Sequence, residues 1–259
     1  MDGEMIRYLE NKYLIGGTMN KELAPSGEAI FRYEERKEDF TLASGDEEAI
    51  KVISDHVEKY IGKIDTVFHE IISDLVHLDI LIVKPTKEKN YYTLVTCGMS
   101  NLPMTVPEGA DNFRFAELVI CLPSDWKMSD EAFKQDENYW PILWLKKLAR
   151  FPHEYQTWLY HAHTIPNGDP AQPFATNTEF SGMILSIPTT VDNANDFFTL
   201  ESNGKRIHFF SLIPIYTKEM DFKLKKGADA LIEKLEKAGV NELVDLKRKS
   251  VCKASFWNF

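Results

Sequence analysis

The chain has 259 residues, 44% hydrophobic and 27% charged, a size and composition ordinary for one soluble globular domain. Its net charge of −10 excludes general nucleic-acid binding and docking on anionic membranes, both of which need basic surface. The same charge suits a basic protein partner, since opposite fields speed encounter. The N-terminal MDGEMIRYLENK carries no apolar stretch, so no secretory signal is expected, and no apolar run approaches the roughly 18 residues of a membrane span. Cys97, Cys121 and Cys252 are an odd number with no close pair, which points to buried reduced thiols and a cytoplasmic location.

Residues 1–43 read as an N-terminal arm or leader, broken by Gly16-Gly17 and Pro25-Ser26-Gly27. Ser44 and Glu47 form a capping-box pattern, and Ile50, Ile53, Val57 and Ile61 follow a helical period, so a helix is expected from Asp46 to Ile61 with Gly62 as its stop. Strands are expected at 64–72, Leu78–Val83, Tyr91–Cys97 and Phe115–Leu122; the last is nearly continuous in apolar residues and belongs at a sheet centre. A helical turn is expected at Ser129–Lys134.

The run from Asn138 to Pro170 holds three of the five tryptophans and three of the seven histidines. Asn138 is the expected N-cap, with Pro141 in the first turn. Trp140, Trp144, Leu148 and Phe151 recur at helical spacing, and Pro152 should stop or kink the helix. Alternation through Tyr160-His161-Ala162-His163 reads as a strand that ends at Pro166-Asn167-Gly168-Asp169-Pro170. Asn167–Glu179 is a long loop, of a length that is often functional. Further strands are expected at Met183–Ile187, Phe197–Glu201 and Lys205–Pro214. The last two flank Asn203-Gly204, a type I′ hairpin signal. Met220, Leu224, Ala228, Leu231 and Leu235 predict one long amphipathic helix, followed by a shorter one at Asn241–Lys247 and an aromatic tail, 251–259.

On a strand, His161 and His163 would share one face, about 6–7 Å apart, and could supply two ligands of a zinc or iron site. A third ligand would come from Asp169, His153 or Glu154. The alternative is that both are polar histidines at a strand end. His69-Glu70 begins like a zincin motif, but the second histidine is missing because Ser73 holds its place. There is no G-x-S-x-G elbow, P-loop, G-x-G-x-x-G or C-x-x-C. The residues alone predict one α+β domain, a mixed, mostly antiparallel sheet of about seven or eight strands flanked by helices. Its core should include Ile53, Val57, Ile80, Ile82, Leu94, Leu118, Ile120, Trp144, Leu148, Ile184, Phe210 and Leu231.

Several ordered blocks resemble the suppressor-of-fused domain. They are Trp140-Pro141, Leu148-Ala149-Arg150, Trp158 and His163-Thr164-Ile165-Pro166. Ile80–Pro85, Thr93–Ser100 and Ala116–Pro123 are similar to the bacterial branch, so the domain is placed at residues 44–250. The resemblance implies a non-enzymatic binding module without cofactor or metal. Animal members clamp a short extended peptide against sheet edges beside a second domain, by strand addition. Bacterial relatives of this size carry the first domain only, and the resemblance implies for them immunity or antitoxin proteins that occlude a toxin domain. A histidine near the clamped peptide matches His163, so the implied partner-binding residues are Tyr160, His161, His163 and Thr164. The alternative from another class is a metal-dependent enzyme built on His161 and His163.

Overall fold

The computed structural model describes residues 20–33, 45–70 and 75–252. Residues 1–19 and 34–43 of the expected arm, Ser44, residues 71–72 of the first expected strand and the aromatic tail from 253 lie outside the described residues. The strands are β1 (Asn20–Leu23), β2 (Ala29–Arg32), β3 (Ile64–Phe68), β4 (Asp79–Val83), β5 (Tyr91–Cys97), β6 (Phe115–Pro123), β7 (Thr164–Pro166), β8 (Phe180–Ser186), β9 (Thr199–Ser202) and β10 (Lys205–Tyr216). The helices are α1 (Glu47–Tyr60), α2 (Asp136–Glu154), the short α3 (Ala194–Phe197), α4 (Thr217–Lys226) and α5 (Ala228–Lys237).

β1 and β2 form a separate hairpin. The other eight strands make one sheet in the order β3-β4-β5-β6-β10-β8-β7, with β9 beside β10. All neighbours are antiparallel except β6 and β10, paired in parallel from Ile207↔Phe115 to Ser211↔Val119. The fold is therefore the expected mixed, mostly antiparallel α+β sheet. Asn203 and Gly204 form the two-residue turn between β9 and β10, both with positive φ (50° and 74°), as a type I′ turn requires.

The sheet is covered on both faces. α2 lays Trp140, Trp144, Leu145 and Leu148 on Ile80, Leu94, Leu118, Ile120, Phe210 and Leu212. The opposite face carries two smaller clusters. One sets Ile53 and Val57 of α1 on Leu81, Val95, Val119 and Phe209. The other sets Met220, Leu231 and Leu235 of α4 and α5 on Ile184, Ile213 and Ile215. All twelve expected core residues are buried. No helix among the described residues is long and apolar enough to cross a membrane.

Several expectations about elements are corrected. Asn138 is not the N-cap of α2; the helix starts at Asp136 after Gln135, and Pro141 stands in its second turn. The carbonyl that Pro141 cannot reach, on Glu137, accepts instead from Asn177 Nδ2 at 3.1 Å. That bond belongs to the long loop Asn167–Glu179, whose Phe174 ring covers Trp140 and Trp144 at 5.2 and 4.6 Å. Pro152 lies in the last turn of α2, which runs on to Glu154. The long C-terminal helix is two helices, because Gly227 adopts φ 90° between them, a left-handed conformation that glycine tolerates at no steric cost. Asn241–Lys247 is not a helix. Leu243 bridges to Cys121 in parallel, taking the place beside β6 that β10 has left. Cys121 N–H donates to the Glu242 carbonyl, and Val244 N–H donates to the Cys121 carbonyl, both at 2.9 Å.

Among the described residues three glutamates have no exposed surface, and each is satisfied by several donors. Glu117 accepts from Thr96 Oγ1 (2.6 Å), Gly98 N–H (3.0 Å), and Ser100 N–H and Oγ (3.0 and 2.7 Å). Burial still pushes its carboxyl above the usual range. Glu242 accepts from the N–H and hydroxyl of both Thr189 and Thr190. Glu219 takes a two-point bond from Arg248, both at 2.8 Å, and also accepts from Tyr216 and Val251 N–H. The Arg248 guanidinium also stacks on Phe180 and Tyr216 and donates to the Pro214 carbonyl at 2.7 Å.

Arg248→Ala would strand the Glu219 charge in the interior and should cost about 3–5 kcal/mol in urea unfolding. Arg206→Ala, which removes the exposed pair with Glu201, should cost less than about 1 kcal/mol. Equal losses in the two variants would contradict this account.

Candidate functional site

The residues Tyr160, His161, His163 and Thr164 lie at one end of the sheet, where α2 gives way to the outermost strand, β7. α2 ends as Gln156 turns left-handed (φ 48°) and Thr157 N–H reaches back to the Pro152 carbonyl at 2.9 Å. Trp158 to Tyr160 then follow without regular secondary structure, and Leu159 is buried with its N–H 3.4 Å from Met104 Sδ.

The expected strand over Tyr160–His163 is replaced by a turn. His163 N–H donates to the Tyr160 carbonyl at 3.1 Å, and Ala162 takes φ 68°, a region a Cβ-bearing residue enters at a cost of roughly 1–2 kcal/mol. Both Ala162 and His163 face Leu185. Ala162 N–H donates to its carbonyl (2.8 Å) while the His163 carbonyl accepts from its N–H (2.9 Å). Two residues opposite one make a bulge. The period-two alternation is broken there, and with it the premise that His161 and His163 share a strand face.

Each predicted residue has its own surroundings. Tyr160 is buried among Phe113, Trp158 and Phe210, with centroids 4.7, 5.1 and 5.8 Å away, so its ring is core. The His163 ring meets Trp158 edge-on at 5.2 Å. Half-buried His161 lies within electrostatic reach of His163 and of Asp229 and Glu236 on α5. Burial, aided by His163, holds its imidazole below the ordinary value despite the two carboxylates, and its Nδ1 is buried without a hydrogen-bond partner. Thr164 is half-buried at the start of β7, its hydroxyl 3.4 Å from the Ala162 carbonyl.

Two of the side chains named as third metal ligands have other partners. Asp169 pairs with Arg32, and His153 Nε2 lies 3.1 Å from the Met99 carbonyl. Among the described residues no group of three or more His, Cys, Asp or Glu side chains is placed to hold a metal ion. His69 sits just past β3, not on a helix, with Nδ1 3.1 Å from Asp79 Oδ1. Glu70 pairs with Arg150 and Lys146.

The edge of β7 has a feature the motif reading missed. Leu185 and Ser181 exchange bonds with His163 and Asn167, so the alternation turns the backbone of Thr164 and Pro166 outward. Pro166 has no N–H to offer there, which limits strand addition along this edge. The signal was present in the sequence as a proline within an edge strand, but it needed the register to be read.

Burial holds His56, His153, His161 and His208 below the imidazole value of 6.5. The unfolded chain therefore takes up protons before the folded one does. Stability should be full above about pH 6.5 and fall as pH drops below it toward the lowered native values. Urea unfolding between about pH 7 and pH 5 checks this, and a flat profile would contradict it.

The model of the suppressor of fused protein (SUFU) family matches residues 74–249, more than half of the chain. A suppressor-of-fused homologue from Neisseria gonorrhoeae FA 1090 superposes with a TM-score of 0.57 at 17% identity, covering 80% of this chain and 99% of its own. The Sufu–Fu complex superposes at 0.54 and 14% identity, over 78% of this chain and 92% of that one. Drosophila Suppressor of Fused does so at 0.51 and 12% identity, over 80% of this chain and 54% of that one. A search of curated proteins returned no match. With a family model matched over more than half of its length, the chain belongs to the suppressor of fused protein family.

Proposed function

We propose that this chain is a non-enzymatic protein-binding module whose partner is a toxin domain, which it occludes stoichiometrically as an immunity protein. The observation that carries the binding reading is the turn at the sheet edge. There His161, with an unpartnered Nδ1, and His163 stand beside an outermost strand. A suppressor of fused in complex with Fu shares the fold at a TM-score of 0.54, in keeping with a protein as ligand. Strand addition along β7 is limited by Pro166, so recognition would rest on the imidazoles and Thr164, with Tyr160 supporting them from beneath.

The net charge of −10 supports a basic partner. Charge complementarity of this kind acts mainly on the rate of encounter. A cytoplasmic setting agrees with three free, buried cysteines, of which Cys121 has its thiol pushed up to about 12 by burial and is inert at neutral pH.

The test is affinity capture from the native organism with wild type and a His161→Ala/His163→Ala variant, followed by kinetics on the partner identified. The variant should lose the partner while unfolding at a similar urea concentration. The association rate of the wild type should drop about tenfold or more from low to physiological salt. A partner retained in full by the variant would remove this edge from the reading, and a salt-independent rate would remove the basic toxin.

A further inference from the structure

Residues 20–33 precede the span matched by the family model and form the β1–β2 hairpin. The hairpin is anchored at three places. At the first, Ser26 N–H donates to the Leu224 carbonyl at 2.9 Å, and Glu28 Oε1 accepts from Ala228 N–H at 2.6 Å, at the break between α4 and α5. At the second, Arg32 pairs with Asp169, three residues beyond β7. At the third, the Tyr33 hydroxyl meets Thr157 Oγ1 at 2.8 Å, and its ring packs on Phe151 and Tyr155 at 5.2 and 5.3 Å.

The first anchor belongs to the sheet face covered by α4 and α5, and the third to the face covered by α2. A segment that touches both faces must pass around the sheet, and the strand at that end is β7, with Asp169 just past it. The hairpin is also weakly held. Leu23 is 61% exposed and Phe31 39%, while Ala24 is its one fully buried apolar side chain. A two-stranded hairpin with so little buried area is marginal in water without its anchors, and such units open well below the free energy of global unfolding.

We propose that the β1–β2 hairpin is a releasable strap across the β7 edge, gating the surface that carries His161, His163 and Thr164. Its role as a gate rests on the binding reading given above. Its release is a property of the protein alone and is measured without a partner.

The experiment is amide hydrogen exchange on the full-length protein, wild type against Glu28→Ala/Tyr33→Ala, followed in three segments: the hairpin, Trp158–Pro166, and β5 as a core reference. Loosening two anchors should speed exchange about tenfold in the hairpin and in Trp158–Pro166 while β5 is unchanged. Faster exchange in the hairpin alone would overturn the proposal, because the hairpin would then cover nothing. Equal acceleration in β5 would overturn it by making the hairpin part of the cooperative core. No acceleration in the hairpin would overturn it by showing that these anchors do not hold it. A strap that releases as expected in a protein for which no partner is found would leave this inference standing and remove only the toxin-binding reading.

Discussion

The parallel pairing of β6 with β10 is the constraint on which the architecture rests. Antiparallel neighbours can be joined by tight turns, but parallel ones need a long crossover. Here the crossover is residues 124–204, and it contains α2, β7, β8 and the loop that covers the tryptophans. Once Ile207–Ser211 pair with Phe115–Val119, α2 is committed to one face, and β8 and β7 build the sheet outward from the far side of β10. The candidate site lies at the β7 edge, where the sheet ends in a strand of three residues.

Buried glutamates hold the irregular segments to that frame. Glu117 fastens the turn after β5, where Gly98 is needed because a Cβ there would lie 2.0 Å from the His77 carbonyl. Glu242 holds the Thr189-Thr190 loop, and Glu219 fixes the C-terminal segment through Arg248. Each carboxylate exchanges water for several directed donors, the condition under which a buried charge is tolerated. Loops carrying backbone groups that need partners are thus tied to a sheet whose own groups are already paired.

Regular elements were legible in the sequence because their signals are local. β5 follows from an apolar run bounded by turn residues, and Asn203-Gly204 names its own turn. What was not legible depended on distant partners. Alternation through Tyr160–His163 looked like a strand, and only the pairing with Leu185 makes it a bulge. The periodicity of α4 and α5 runs through Gly227 unbroken, so the break cannot be read from spacing. Asn241–Lys247 has helix-forming residues, but burial of Glu242 against two threonines outweighs propensity. At the candidate site, His161, His163 and Thr164 are named by resemblance alone, and the burial of Tyr160 and the outward-facing Pro166 required the fold. The hairpin was least legible of all, since Glu28, Arg32 and Tyr33 meet partners more than a hundred positions away.

The missing N–H of Pro166 also bears on how the protein behaves among copies of itself. An outermost strand with a full row of donors and acceptors is a template for any other such strand, including its own twin, and crowding then favours fibres. Here the outward row of donors is interrupted after one residue, so pairing of two molecules along β7 is disfavoured. A ligand that reads the imidazoles rather than the backbone does not meet that barrier. The same proline that makes the edge a poor template for self-assembly would therefore not obstruct a foreign surface of matching shape and charge once the hairpin is released.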